Sequence, residues 1–86
     1  MQVRFYTHGL RSPAVCQFAI PVQVDEIAIL LRGEIIHSKR DGALAVYWPK
    51  AKGGFFAVAP ETESDTVRIN QIILEKWCVF QDRGAR

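Results

Sequence analysis

Three apolar runs rich in β-branched and aromatic residues lie close together between Glu34 and Pro60. Two turn segments separate them, Asp41-Gly42 and a longer one that ends in Gly53-Gly54. Both central positions of a type I′ turn need a positive φ, and an Asp-Gly pair adopts it at low cost. The pattern therefore predicts a three-stranded antiparallel meander in the middle of the chain.

The first hairpin of this meander is predicted to have arms over 34–40 and 43–48. A two-residue loop would place Ile35 opposite Trp48 on one face and Ile36 opposite Tyr47 on the other. Both faces then carry apolar side chains. A sheet that is apolar on both sides must be covered on both sides, so we expect a second layer.

The C-terminal part of the chain predicts one amphipathic helix over 65–80. Thr62-Glu63-Ser64-Asp65 has the spacing of a capping box, with Ser64 as an alternative N-cap. The apolar residues that follow recur at helical spacing. They are Ile69, Ile72, Ile73, Trp77 and Phe80. We expect this helix to cover one face of the meander.

Residues 1–33 are predicted to add further strands. Residues 1–8 alternate between drier and more polar positions, and 14–24 form a second apolar run. Because proline cannot donate to a ladder, this second strand is expected to lie at an edge or to be interrupted at Pro21. The apolar segment 27–32 reads either as a strand covered on both faces or as a short helix, and we favour the strand. Gly33 is expected to form a bulge between two strands.

Length and composition predict a single α+β domain over 1–86. A chain of 86 residues with 49% apolar and 23% charged residues is typical of a small globular domain. Such a small core is marginally stable. We therefore expect a homodimer that shares sheet surface or sheet edges.

The chain is predicted to be cytoplasmic and to make no membrane contact. Its first residues lack the apolar core of a signal peptide, and no run reaches the ~18 apolar residues of a membrane span. Cys16 and Cys78 are too few for the disulfide framework of a small secreted domain.

No residue pattern predicts catalysis, a metal or a cofactor. His8, His37, Cys16 and Cys78 lack the spacing of metal ligands, and no serine stands in a nucleophile-elbow motif. The chain is therefore expected not to be an enzyme.

Basic residues interleaved with aromatic residues are the one functional pattern. Arg32, Lys39, Arg40, Lys50 and Lys52 accompany Tyr47, Trp48 and Phe56. A cationic groove with aromatic faces for base stacking is typical of proteins that bind single-stranded nucleic acid. Alternatively, the charges only keep the sheet soluble and protect its edges, with Tyr47 and Phe56 in the core or a dimer interface.

The same region resembles the stage V sporulation protein G family of small bacterial septation regulators. The residues from Asp41 to Lys50, DGALAVYWPK, resemble the family's turn, strand and basic loop. The residues from Arg68 to Trp77, RINQIILEKW, resemble its closing helix. The resemblance implies an antiparallel sheet with a helix, a homodimer, and DNA or RNA binding of relaxed sequence preference.

The sequence supports two candidate functions. The first is a non-enzymatic regulatory protein that binds nucleic acid; its candidate residues are Lys39, Arg40, Lys50, Lys52, Tyr47, Phe56 and Arg68. The alternative is a protein–protein interaction module or phage-type inhibitor that docks on a larger partner through an aromatic face or a strand edge.

Overall fold

The structure is a computed structural model that describes residues 1–50, 53 and 59–84. In this part of the chain four strands form one antiparallel sheet, and one helix follows them. The strands are β1 (Arg4–Tyr6), β2 (Ala14–Val24), β3 (Ile27–His37) and β4 (Leu44–Tyr47), and the helix is α1 (Glu63–Gly84). The sheet order is β1-β2-β3-β4. The predicted α+β class is confirmed.

The long hairpin of β2 and β3 forms the centre of the sheet. Its arms pair in register from Val24 and Ile27 at the turn to Cys16 and Ile35. Asp25 in the turn has a φ of 55°, a conformation that Asp adopts more readily than most residues. Of the two interpretations of 27–32, the strand is confirmed, but Ile27, Ile29 and Leu30 are exposed, so the expected cover on both faces is wrong.

Gly33 lies inside β3 directly opposite Phe18, so the bulge predicted there is wrong. A Cβ atom at this position would collide with the Phe18 ring and would lie 2.9 Å from the backbone oxygen of Tyr47. The glycine is therefore explained by close packing, because the ring of its cross-strand partner occupies the space of a side chain.

The turn between β3 and β4 is wider than predicted. Ser38 N donates to the Ala43 carbonyl and Gly42 N donates to the Ser38 carbonyl, both at 2.8 Å. His37 Nδ1 donates to the Gly42 carbonyl at 3.0 Å, and Asp41 Oδ1 accepts from Ala43 N at 3.0 Å. Side chains thus help to close a longer loop, and the predicted type I′ turn is wrong.

The wider turn shifts the pairing of β3 with β4 by two residues. Ile35 lies opposite Val46 instead of Trp48, and Ile36 lies opposite Ala45 instead of Tyr47. A shift by an even number keeps every side chain on its predicted face. The third strand of the predicted meander, except Ala59, lies outside the described residues.

α1 packs on one face of the sheet and closes the core. Thr62 Oγ1 accepts a hydrogen bond from Asp65 N at 3.1 Å, which makes Thr62 the N-cap. The helix is longer at both ends than predicted. Its buried residues Ile73 and Trp77 belong to the central apolar cluster, together with Cys16, Phe18, Ile20, Ile35 and Trp48.

Trp48 joins the sheet to the helix. Its ring meets the Phe18 ring edge-on, with centroids 5.3 Å apart and an interplanar angle of 83°. Its Nε1 donates to Asn70 Oδ1 of α1 at 2.8 Å. The indole is 5% exposed, so the hydrogen bond satisfies a donor that water hardly reaches.

Gly33→Ala should destabilise the protein by about 1–3 kcal/mol, because the added methyl group must displace the Phe18 ring or the β4 backbone. Chemical denaturation would measure this loss. The cost should be smaller in a Phe18→Leu background, where the ring atoms are gone. An equal cost in both backgrounds would contradict the packing explanation.

Candidate nucleic-acid interface

The sheet has a second face, turned away from α1, which we call the outer face. Side chains alternate along each strand, and two rows of opposed residues therefore cross this face. The first row is Tyr6, Gln17, Glu34 and Tyr47, one residue from each strand, and the second is Arg4, Ala19 and Arg32. The fold thus brings aromatic and cationic side chains from distant parts of the chain into adjacent rows.

The aromatic and cationic side chains of the outer face remain accessible. Tyr6 is 47% exposed and Tyr47 is 42% exposed. Arg4 and Arg32 are also exposed, whereas Glu34 is half-buried between the tyrosines. The core cluster lies on the opposite face, so these groups are not needed to fill it.

A groove of about 570 Å³ lies on the outer face. The residues that line it include Tyr6, His8, Gln17, Arg32 and Glu34, together with the apolar Phe18 and Pro49. This volume is in the range of small-ligand sites, and the polar groups offer both donors and acceptors. The groove can therefore hold a planar, hydrogen-bonding group beside an aromatic ring.

A second, smaller groove of about 390 Å³ lies beside the first. Tyr47 and Arg11 contribute to its lining, and Glu34 borders both grooves. Among the described residues of the two rows and the two grooves, three arginines, Arg4, Arg11 and Arg32, accompany one carboxylate, that of Glu34. This excess of positive charge suits an anionic ligand.

The sequence-predicted site residues do not form one patch. Tyr47 lies on the outer face, and Lys39 and Arg40 are exposed in the turn before β4. Lys50 is exposed beyond the other end of β4, and Arg68 is exposed on α1, behind the sheet. Lys52 and Phe56 lie outside the described residues.

The structure adds residues that were absent from the predicted set. Arg4, Tyr6 and His8 share the polar side of the alternating N-terminal segment, a signal that could have identified them. Gln17 and Glu34 carry no such signal, because only the pairing of β2 with β3 makes them neighbours. Arg32 belongs to the basic residues of the sequence pattern, but its position on the outer face follows only from the pairing of β2 with β3.

The Cys16 thiol is not an activated nucleophile. Cys16 is buried, and burial raises the pKa of its thiol to about 11, although a backbone hydrogen bond to Ile35 acts in the opposite direction. Cys78 is exposed on α1. In the described part of the chain, no group of three or more His, Cys, Asp or Glu residues could hold a metal ion.

Comparisons with family models, curated proteins and solved structures found no match to this chain. The resemblance to the stage V sporulation protein G family therefore stays a prediction. Among the described residues, no helix has both the length and the apolar character needed to cross a membrane.

A thiol reagent at about pH 8 should modify Cys78 quickly and Cys16 only after unfolding, because Cys16 is buried and stays protonated. Mass spectrometry of digested protein would show which thiol reacts. Urea-unfolded protein is the control; equal labelling of both cysteines in the native state would contradict the placement of Cys16.

The raised pKa of the Cys16 thiol also contributes to the stability of the folded protein. This contribution is fully present below pH 9.0, the ordinary pKa of the thiol, and should be lost as pH rises toward about 11.

Proposed function

We propose that this chain is a non-enzymatic regulatory protein that binds single-stranded DNA or RNA on the outer face of its sheet. The observation that carries the proposal is the groove of about 570 Å³, whose lining residues Tyr6, Gln17 and Arg32 supply a tyrosine ring, an amide and a guanidinium group. These are the groups that stack on a base, contact its edge and bind its phosphate. A cytoplasmic location is part of the proposal.

The two exposed tyrosines would hold the bases. Tyr6 and Tyr47 lie in one cross-strand row, separated by three strand spacings, or about 14 Å. Each could stack on one base, with one or more nucleotides between them over the grooves. Stacking on an aromatic ring contributes roughly 1–3 kcal/mol per base and tolerates any base, which accounts for a relaxed sequence preference.

The arginines would hold the phosphates. Arg4 and Arg32 flank the buried Ala19 in the row next to the tyrosines, and Arg11 borders the second groove. A guanidinium presents a planar set of donors that matches a phosphate. Lys39, Arg40 and Lys50, at the two ends of β4, would extend the contacts along the strand. Neutralising several phosphates makes affinity fall steeply with salt.

Glu34 should bias this relaxed preference toward bases that carry an exocyclic amino group. Glu34 lies in the row that joins the tyrosines, and its carboxylate would repel phosphates. The phosphates should therefore lie toward the arginines on either side of this row, with the bases over Glu34 and Gln17. A carboxylate accepts hydrogen bonds from exocyclic amino groups, which thymine and uracil lack. Oligomers of cytosine or adenine should therefore bind more tightly than oligomers of thymine.

Tyr6→Ala and Tyr47→Ala should each weaken binding of a single-stranded oligonucleotide by roughly fivefold or more, through loss of stacking. Tyr6→Phe and Tyr47→Phe should bind almost as the parent does. Arg4→Ala and Arg11→Ala should weaken binding and reduce its dependence on salt. Fluorescence anisotropy at two salt concentrations would measure each effect.

Arg68→Ala is the matched control, since it removes one positive charge from the opposite side of the molecule. It should leave affinity nearly unchanged. The proposal fails if the parent protein binds neither DNA nor RNA at low salt, or if Arg68→Ala is as damaging as Arg4→Ala. Absence of binding together with capture of a specific protein would favour the protein-docking alternative.

A further inference from the structure

Two polar residues stand side by side in the larger groove of the outer face. Gln17 of β2 and Glu34 of β3 are directly opposed in the sheet, and both line the groove of about 570 Å³. Residues opposed in this way have Cβ atoms about 4.5–5.5 Å apart. The groove therefore offers a ligand one amide and one carboxylate from neighbouring positions.

The side chains of Gln17 and Glu34 are available to a ligand. Gln17 is exposed and Glu34 is half-buried. Among the described residues, no partner forms a hydrogen bond or an ion pair with either side chain. The core cluster lies on the opposite face of the sheet and does not require them. Because a half-buried carboxylate has lost part of its hydration, a ligand that donates hydrogen bonds to it is favoured.

We propose that this pair recognises guanine through its base-pairing edge. That edge presents, in order, the O6 acceptor, the N1–H donor and the N2 amino donor. The Gln17 amide donates to O6, and the two oxygens of the Glu34 carboxylate accept from N1–H and from the N2 amino group. The two side chains together reproduce the donor–acceptor–acceptor pattern of cytosine, the pairing partner of guanine. The inference rests on the proposed function, because it assigns a base to the groove proposed there.

No other common base makes all three of these hydrogen bonds. Adenine and cytosine place one amino donor beside a ring-nitrogen acceptor, so they engage one oxygen of the Glu34 carboxylate and leave the other unpaired. Thymine and uracil place one N–H between two carbonyl groups, which repel the second carboxylate oxygen. Hydrogen bonds to a charged group are stronger than those between neutral groups, so the carboxylate determines the order of preference. Guanine should bind most tightly, adenine and cytosine less tightly, and thymine least.

The rest of the groove fits a nucleotide around this base. Tyr6 is the cross-strand neighbour of Gln17, so its ring can stack on a base whose edge meets Gln17 and Glu34. Arg32 lines the same groove and supplies a guanidinium group for a phosphate. Tyr47 lies on the other side of Glu34 and is left for a neighbouring base of any kind. One position of a bound strand is therefore selective, and the others are not.

A single substituted position measures this preference. Fluorescence anisotropy would compare an all-thymine oligomer with variants whose central base is guanine, hypoxanthine, adenine or cytosine. Hypoxanthine keeps the O6 and N1–H groups of guanine but lacks its amino group. The guanine oligomer should bind about tenfold more tightly than the hypoxanthine oligomer, because only guanine engages both carboxylate oxygens.

Glu34→Gln tests the role of the carboxylate, since it keeps the size of the side chain but replaces one acceptor oxygen by a donor. It should abolish the difference between the guanine and hypoxanthine oligomers. The all-thymine oligomer should bind this variant at least as tightly as the parent, because the repulsion of phosphates is lost. Glu75→Gln removes an exposed carboxylate from α1 and is the matched control, which should keep the parent's preference.

The possible outcomes separate this inference from the proposed function. Equal affinity of the parent for the guanine and hypoxanthine oligomers would overturn the inference alone. A guanine preference that survives Glu34→Gln, or a uniform loss of binding in that variant, would do the same. Absence of parent binding to every oligomer at low salt would overturn the proposed function as well.

Discussion

The Phe18 ring packs so closely over Gly33 that a Cβ atom there would collide with it, and this contact connects the sheet to the helix. Trp48 meets the Phe18 ring edge-on, and its Nε1 donates to Asn70 of α1. The helix is thereby held on one face of the sheet, and Ile73 and Trp77 complete the core there. One face is dry and tightly packed as a result, and the other is available for polar and aromatic groups.

The periodic patterns of the sequence predicted the main strands and the helix, whereas side-chain contacts determine the register of β3 with β4 and the role of Gly33. β2 and α1 were predictable because alternation and helical spacing persist over many residues. The register of β3 with β4 was not, because Ser38, His37 and Asp41 form a wider loop than the Asp-Gly pair implies. The role of Gly33 depends on Phe18, which lies on another strand, so no local pattern reveals it.

The candidate site was predictable only in part for the same reason. Tyr47 was identified from its place in an alternating strand next to basic residues, and it lies on the outer face. Tyr6, Arg4 and Arg32 join it through the pairing of all four strands, which local sequence does not encode. Lysines in turns are conspicuous in a sequence, but in this fold Lys39 and Lys50 lie at opposite ends of β4.

The proposed binding surface is the outer face of the sheet, and not α1 or the β2–β3 turn. Backbone and side-chain amide resonances in an NMR titration with a single-stranded oligonucleotide test it most directly. If the outer face binds the oligonucleotide, the largest shifts should occur at Tyr6, Gln17, Glu34 and Tyr47, including the side-chain amide of Gln17. Shifts concentrated in α1 or at the β2–β3 turn, with the outer face unchanged, would contradict it.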